Sequence, residues 1–87
     1  MKEFGSTLTD RADGKKAVEA ILQKHALPMQ LDFSGVVALG SSFGDEVVLK
    51  IAGMQDNVMH IANANHVIKN SLLRIVEDAA VTLTFER

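Results

Sequence analysis

The chain has 87 residues, enough for one domain with one modest core. Apolar residues make up 47% and charged residues 23%, proportions of a folded chain rather than a disordered one. The net charge of −2 gives no basic footprint for nucleic acid, and the lack of cysteine excludes disulfides, thiolate metal sites and cysteine nucleophiles.

Met1 to Phe4 reads as a short strand closed by Gly5 and Ser6. Thr9 or Asp10 then caps a helix over about Asp10 to His25. Its apolar or small residues fall at Gly14, Ala17, Val18, Ile21 and Leu22, three and four apart, the stripe of an amphipathic helix. Gly14 inside that helix costs ~1 kcal/mol against alanine, a cost that a close backbone approach would explain. Arg11, Lys15 and Lys16 read as a solvated face. Leu27-Pro28 ends the helix, because the residue before proline disfavours helical geometry.

Met29, Leu31 and Phe33 alternate with polar residues as in a strand, and Ser34-Gly35 breaks it. A short apolar run, Val36 to Leu39, leads into Gly40-Ser41-Ser42. Helical spacing returns at Phe43, Val47, Val48, Ile51 and Met54. Ser42 suits the N-cap, which makes Asp45 the third helical residue, and Asp45 and Glu46 complement the positive end of the helix dipole. Val58 to Ala62 reads as a strand with Met59 and Ile61 on one face. Asn63 or Asn65 caps a third helix whose stripe is Val67, Ile68, Ser71, Leu72, Ile75 and Val76, with Arg74 on the other side. Val81 to Phe85 alternates and is rich in β-branched residues, a half-buried strand at a sheet edge. The order β-α-β-α-β-α-β predicts a single α/β domain of about four mostly parallel strands and three helices.

The stretch Leu31-Asp32-Phe33-Ser34-Gly35-Val36, followed by Ser41-Ser42 at a helix start, resembles the STAS fold of anti-sigma factor antagonists. Together with Phe4-Gly5, Leu8 to Arg11 and Ile61 to Asn65, it is more similar to the STAS-like family of unknown function DUF4325, a likeness that spans nearly the whole chain. In the antagonists the first loop serine is phosphorylated by a histidine-kinase-like ATPase, and phosphorylation changes partner choice. The resemblance places that serine at Ser41, with Ser42 beside it. This chain has Gly40 and Phe43 where antagonists usually carry Asp and Gly. The resemblance also gives Arg11 a role.

Ser41, Ser42, Phe43, Asp45 and Glu46 are therefore the candidate partner-binding and phosphorylation residues. A helix N-terminus offers unpaired N–H groups to a phosphate, whereas Asp45 and Glu46 would repel it. Arg11 and Asp32 are candidate ion-pair or ligand residues, Asp32 at a strand end where it would approach Asp45 or Glu46. His25, His60 and His66 lack the spacing that puts two ligands on one helical face. No G-x-S-x-G elbow, dinucleotide glycine motif or P-loop occurs. No cofactor and no catalytic residue is expected.

The expected function is that of a regulatory protein-interaction domain, monomeric or homodimeric, with a protein partner and no nucleic-acid or membrane partner. Two alternatives stand beside it. One is a small-ligand module taking a nucleotide or other anion above Asp32, Ser41 and Arg11. The other is an accessory inhibitor that blocks a larger complex by surface contact. No apolar run reaches the ~18 residues of a membrane span, and Met1 to Asp10 lacks a leader pattern, so a cytoplasmic location is expected.

Overall fold

A computed structural model describes residues 1–86 of the chain. Its first regular strand, β1 (Thr7–Leu8), lies beyond the segment expected to form one. Met1 to Phe4 closes on itself instead, because the N–H groups of Phe4 and Gly5 donate to the carbonyls of Met1 and Lys2 and wind Lys2–Phe4 into a 3-10 turn. Gly5 leaves that turn at φ 117°, open to glycine at no steric cost.

Helix α1 (Arg11–Lys24) begins at Asp10, the stronger of the two expected caps. The Asp10 carboxylate accepts from the N–H groups of Ala12 and Asp13, satisfying two donors that the first turn cannot. Gly14, Ala17, Val18 and Ile21 form its buried stripe. Strand β2 (Gln30–Asp32) follows. The apolar run at 36–39 supplies β3 (Ala38–Leu39), which pairs parallel with β1.

Helix α2 covers 41–53 and changes pitch midway. It is α-helical over Ser41–Gly44, π-helical over Asp45–Leu49 and α-helical again over Lys50–Gly53. An i→i+5 turn takes one more residue than an α turn, so Phe43, Val47, Val48 and Ile51 all reach the core. Met54, expected on that stripe, lies past the helix end and is exposed.

Strand β4 (Val58–Ala62) leads to α3 (His66–Ile75) and then to β5 (Thr82–Glu86). Asn65 caps α3: its side chain accepts from the Ile68 N–H and donates to the Val36 carbonyl. Ile68, Leu72 and Ile75 are buried, whereas Val67 is exposed because it lies about 100° round the helix from Ile68. Helix α3 runs alongside 36–44, with Asn65 holding Val36 at its start and Ile75 reaching Gly44 at its end.

The fold is therefore α/β, with three helices and five strands in two parallel sheets, β1-β3 and β2-β4-β5. Strand β5 is an edge, paired only to β4 among the described residues. Met59 and Ile61 enter the core. Val58 and His60 face the other way, and His60 Nδ1 shares a 2.6 Å hydrogen bond with Thr84 Oγ1. One contiguous apolar cluster joins all three helices to both sheets.

Gln55 ties the start of β2 to β4. Its Oε1 accepts from the Met29 N–H at 2.9 Å, and its Nε2 donates to the carbonyls of Met29 and Val58. Gln55→Ala leaves these groups without partners and should lower stability by about 1–3 kcal/mol in urea unfolding.

Candidate functional site

The β1-β3 ladder fixes where α2 begins. The Gly40 N–H donates to the Leu8 carbonyl at 2.8 Å, and the Gly44 N–H donates back to the Gly40 carbonyl at 3.0 Å. The helix thus starts at Ser41, directly after the strand pairing ends. The expected Ser42 cap does not form: Gly40 holds that place with no side chain to contribute, and Asp45 is the fifth helical residue, not the third. Gly40 has a packing reason to be glycine, because a Cβ there would lie 3.2 Å from Thr9 Cα and Cβ. A larger residue there would need Thr9 to give way slightly.

The five candidate residues on this helix differ in access. Ser41 is exposed, and Ser42, Asp45 and Glu46 are partly buried. Phe43 is only 1% exposed and belongs to the core, so the expected partner contact by Phe43 is corrected to a structural role. Its ring enters the core because the buried stripe of α2 starts with it. The N–H groups of Ser41, Ser42 and Phe43 have no acceptor among the described residues, as expected of a first helical turn.

Arg11 finds its acid on this helix. Its Nη1 donates to Glu46 Oε1 at 2.9 Å, and Lys50 Nζ lies 3.5 Å from Glu46 Oε2. The Arg11 hydrogen bond, aided by Lys50 and Lys15, holds the Glu46 carboxyl below the usual glutamate range. Helices α1 and α2 come this close because of Gly14. A Cβ on Gly14 would sit 3.0 Å from Glu46 Cβ and 3.2 Å from the Phe43 carbonyl oxygen. The glycine expected to permit a backbone approach does so at the candidate helix itself.

Asp32 belongs elsewhere. Its carboxylate accepts from the Ser34 N–H at 2.9 Å and from Asn63 Nδ2 at 3.2 Å, and its backbone carbonyl accepts from the Met1 amine at 2.8 Å. The Ser34 N–H, then Asn63, lowers the Asp32 pKa from the ordinary aspartate value. Asp32 thus ties a turn to the end of β4 rather than approaching Asp45 or Glu46. It lines a recess of about 200 Å³ with Met1, Glu3 and His25, whereas Arg11 is engaged by Glu46. Asp32 and Ser41, expected in one crevice with Arg11, line separate recesses, and Arg11 lines neither of them.

Ser41 lines a different recess, of about 320 Å³, with Leu39, Gly40, Ser71, Arg74 and Ile75. Sequence reasoning placed Arg74 on the far side of α3. Ser71, Arg74 and Ile75 nevertheless share a face by i, i+3, i+4 spacing, and that was the available signal. Ser71 Oγ donates to the Val67 carbonyl, which leaves Arg74 as the cationic group beside Ser41. A larger recess, of about 420 Å³, lies among Leu27, Pro28, Met54, Gln55, Asp56, Val58 and His60 and contains none of the candidate residues. Comparison with known protein families, curated proteins and solved structures finds no match for the chain.

Two substitutions test this geometry. Gly14→Ala gains up to ~1 kcal/mol of helix propensity, but crowding against the Phe43 backbone costs about 1–3 kcal/mol, so urea melts should show a net loss. Glu46→Gln tests the ion pair. A carboxyl with a lowered folded pKa stabilises the fold above its unfolded value, near 4.5, and that contribution disappears as pH falls through the lowered value. Wild type should therefore exceed Glu46→Gln in stability at neutral pH, and the gap should close in acid, as read by urea melts across pH.

Proposed function

We propose that the chain is a non-catalytic regulatory domain of STAS-like type, acting in the cytoplasm, which contacts a protein partner through the start of α2. Phosphorylation of Ser41 is the switch in this reading. The observation that carries it is the exposed Ser41 at the first turn of α2, in one recess with Arg74.

A phosphoserine carries about −1.5 to −2 charges near neutral pH and three strong acceptor oxygens. At position 41 it would meet the unpaired N–H groups of the first turn and the nearby Arg74 guanidinium. The repulsion expected from the acidic pair is reduced, because Arg11 and Lys50 neutralise Glu46. Asp45 remains as the opposing charge. Ser42 is the poorer substrate, being partly buried one residue further into the helix. The STAS resemblance suggests a histidine-kinase-like ATPase as the partner class.

The test is to incubate the full chain with ATP and lysate of the native host and to locate phosphate by mass spectrometry. Phosphate should appear on Ser41, and Ser41→Ala should abolish it. Ser41→Asp should change partner recovery in affinity purification at least about fivefold, the lower end of couplings of 1–3 kcal/mol. An unmodified Ser41 together with unchanged recovery for Ser41→Asp would sink the reading.

A further inference from the structure

The two edges of the β2-β4-β5 sheet are finished differently. On the β2 edge, the outward carbonyl of Asp32 is taken by the Met1 amine, and Met1 and Glu3 share a recess with Gln30 and Leu31. On the β5 edge nothing comparable occurs. The Thr82 N–H donates to the Asn57 carbonyl, and the Glu86 carbonyl accepts from the Asn63 N–H. Thr82, Thr84 and Glu86 therefore direct their backbone groups toward β4, and the pleat turns the N–H and C=O of Leu83 and Phe85 away from it. Among the described residues, no group bonds to them.

An open edge of this kind is usually blunted by a charge, a proline or a bulge. Residues 81–85, Val-Thr-Leu-Thr-Phe, contain no charge or proline, the register with β4 runs without a bulge, and the charge of β5 lies at its end, on Glu86. The rim beside the edge is apolar. Phe85 is 37% exposed, and the Lys69 ammonium sits 5.6 Å from its ring centre, which sets that face of α3 over the strand. Leu73, one turn further on the same face, is 52% exposed. Val76, Val81 and Leu83 are only partly buried.

We propose that β5 is a self-association edge, and that two copies of this chain pair their β5 strands antiparallel about a twofold axis to form one six-stranded sheet. The strand is complementary to itself. Its free backbone groups belong to odd-numbered residues, so an antiparallel pair that uses them opposes odd with odd and even with even. With the axis at Leu83, Val81, Leu83 and Phe85 of one copy lie against Phe85, Leu83 and Val81 of the other, on the core side. Thr82 and Thr84 face their counterparts on the open side, and aliphatic–aromatic and Thr–Thr cross-strand pairs are both favourable. Charge also permits the pairing. In the same register Glu86 meets Ala80 of the second copy, so Glu86 faces no acid. A second copy satisfies the same groups that it contributes, as an isologous contact requires.

Sedimentation of the full chain over a concentration series tests this. The mass should rise from 9.4 kDa toward twice that value. The amides of Leu83 and Phe85 should exchange with solvent roughly tenfold more slowly in the concentrated sample, while those of Thr82 and Thr84, already bonded to β4, should change little. Phe85→Pro removes an outward donor and no bond to β4, and should return the chain to a monomer with an unchanged circular-dichroism spectrum. A chain that stays monomeric at every concentration overturns the proposal. So does a dimer whose Leu83 and Phe85 amides exchange as fast as in the monomer. Protection of those amides only by a strand from another protein would likewise overturn it and make the edge a site for foreign strands.

Discussion

The arrangement depends on how closely α2 can approach its two neighbouring helices. Gly14 on α1 leaves room for the Phe43 backbone and Glu46 Cβ, and Gly44 on α2 leaves room for the end of the Ile75 side chain. A Cβ at Gly44 would lie 2.1 Å from Ile75 Cδ1, so any larger residue must displace that side chain. Two missing side chains thus let three helices meet around one turn. The Arg11–Glu46 pair and the Ser41–Arg74 recess lie on either side of that meeting. Both candidate features depend on packing rather than on a flexible loop.

Much of the fold was legible in the sequence because local signals agreed with tertiary demand. Asp10 and Asn65 cap the helices that their spacing announces, and Met59 and Ile61 face inward as their alternation implies. Local reading failed where a longer-range bond decided. Ser42 has the right chemistry for a cap, but the ladder between β1 and Gly40 sets the helix start earlier. Residues 1–4 have a strand-like pattern, but their own carbonyls draw them into a turn.

The candidate site was legible as a list of residues but not as a surface. Ser41 and Glu46 were identified from the helix start, and the first helix already offered Arg11 as a partner for a nearby acid. Arg74 was not recognised, because its closeness to Ser41 follows from the path of α3 alongside 36–44 and not from any short motif. Phe43 shows the opposite error: a position taken for surface from a family pattern serves the core here. Asp32, grouped with Ser41 by the resemblance, ties the N-terminal turn to β4.

The π-helical turn at Asp45–Leu49 gives α2 two phases, not one. Residues ahead of it point by one helical wheel and residues after it by another, offset by a single extra residue. Deleting one residue within this turn would restore a continuous α-helix. Because the wider turn already absorbs the extra residue, Ser41 and Ile51 would keep their present facing relative to each other. Only the residues inside the turn would be reset, Glu46 among them, which would move relative to Arg11. A length change of one residue would thus loosen the ion pair while leaving the recess and the strands in place.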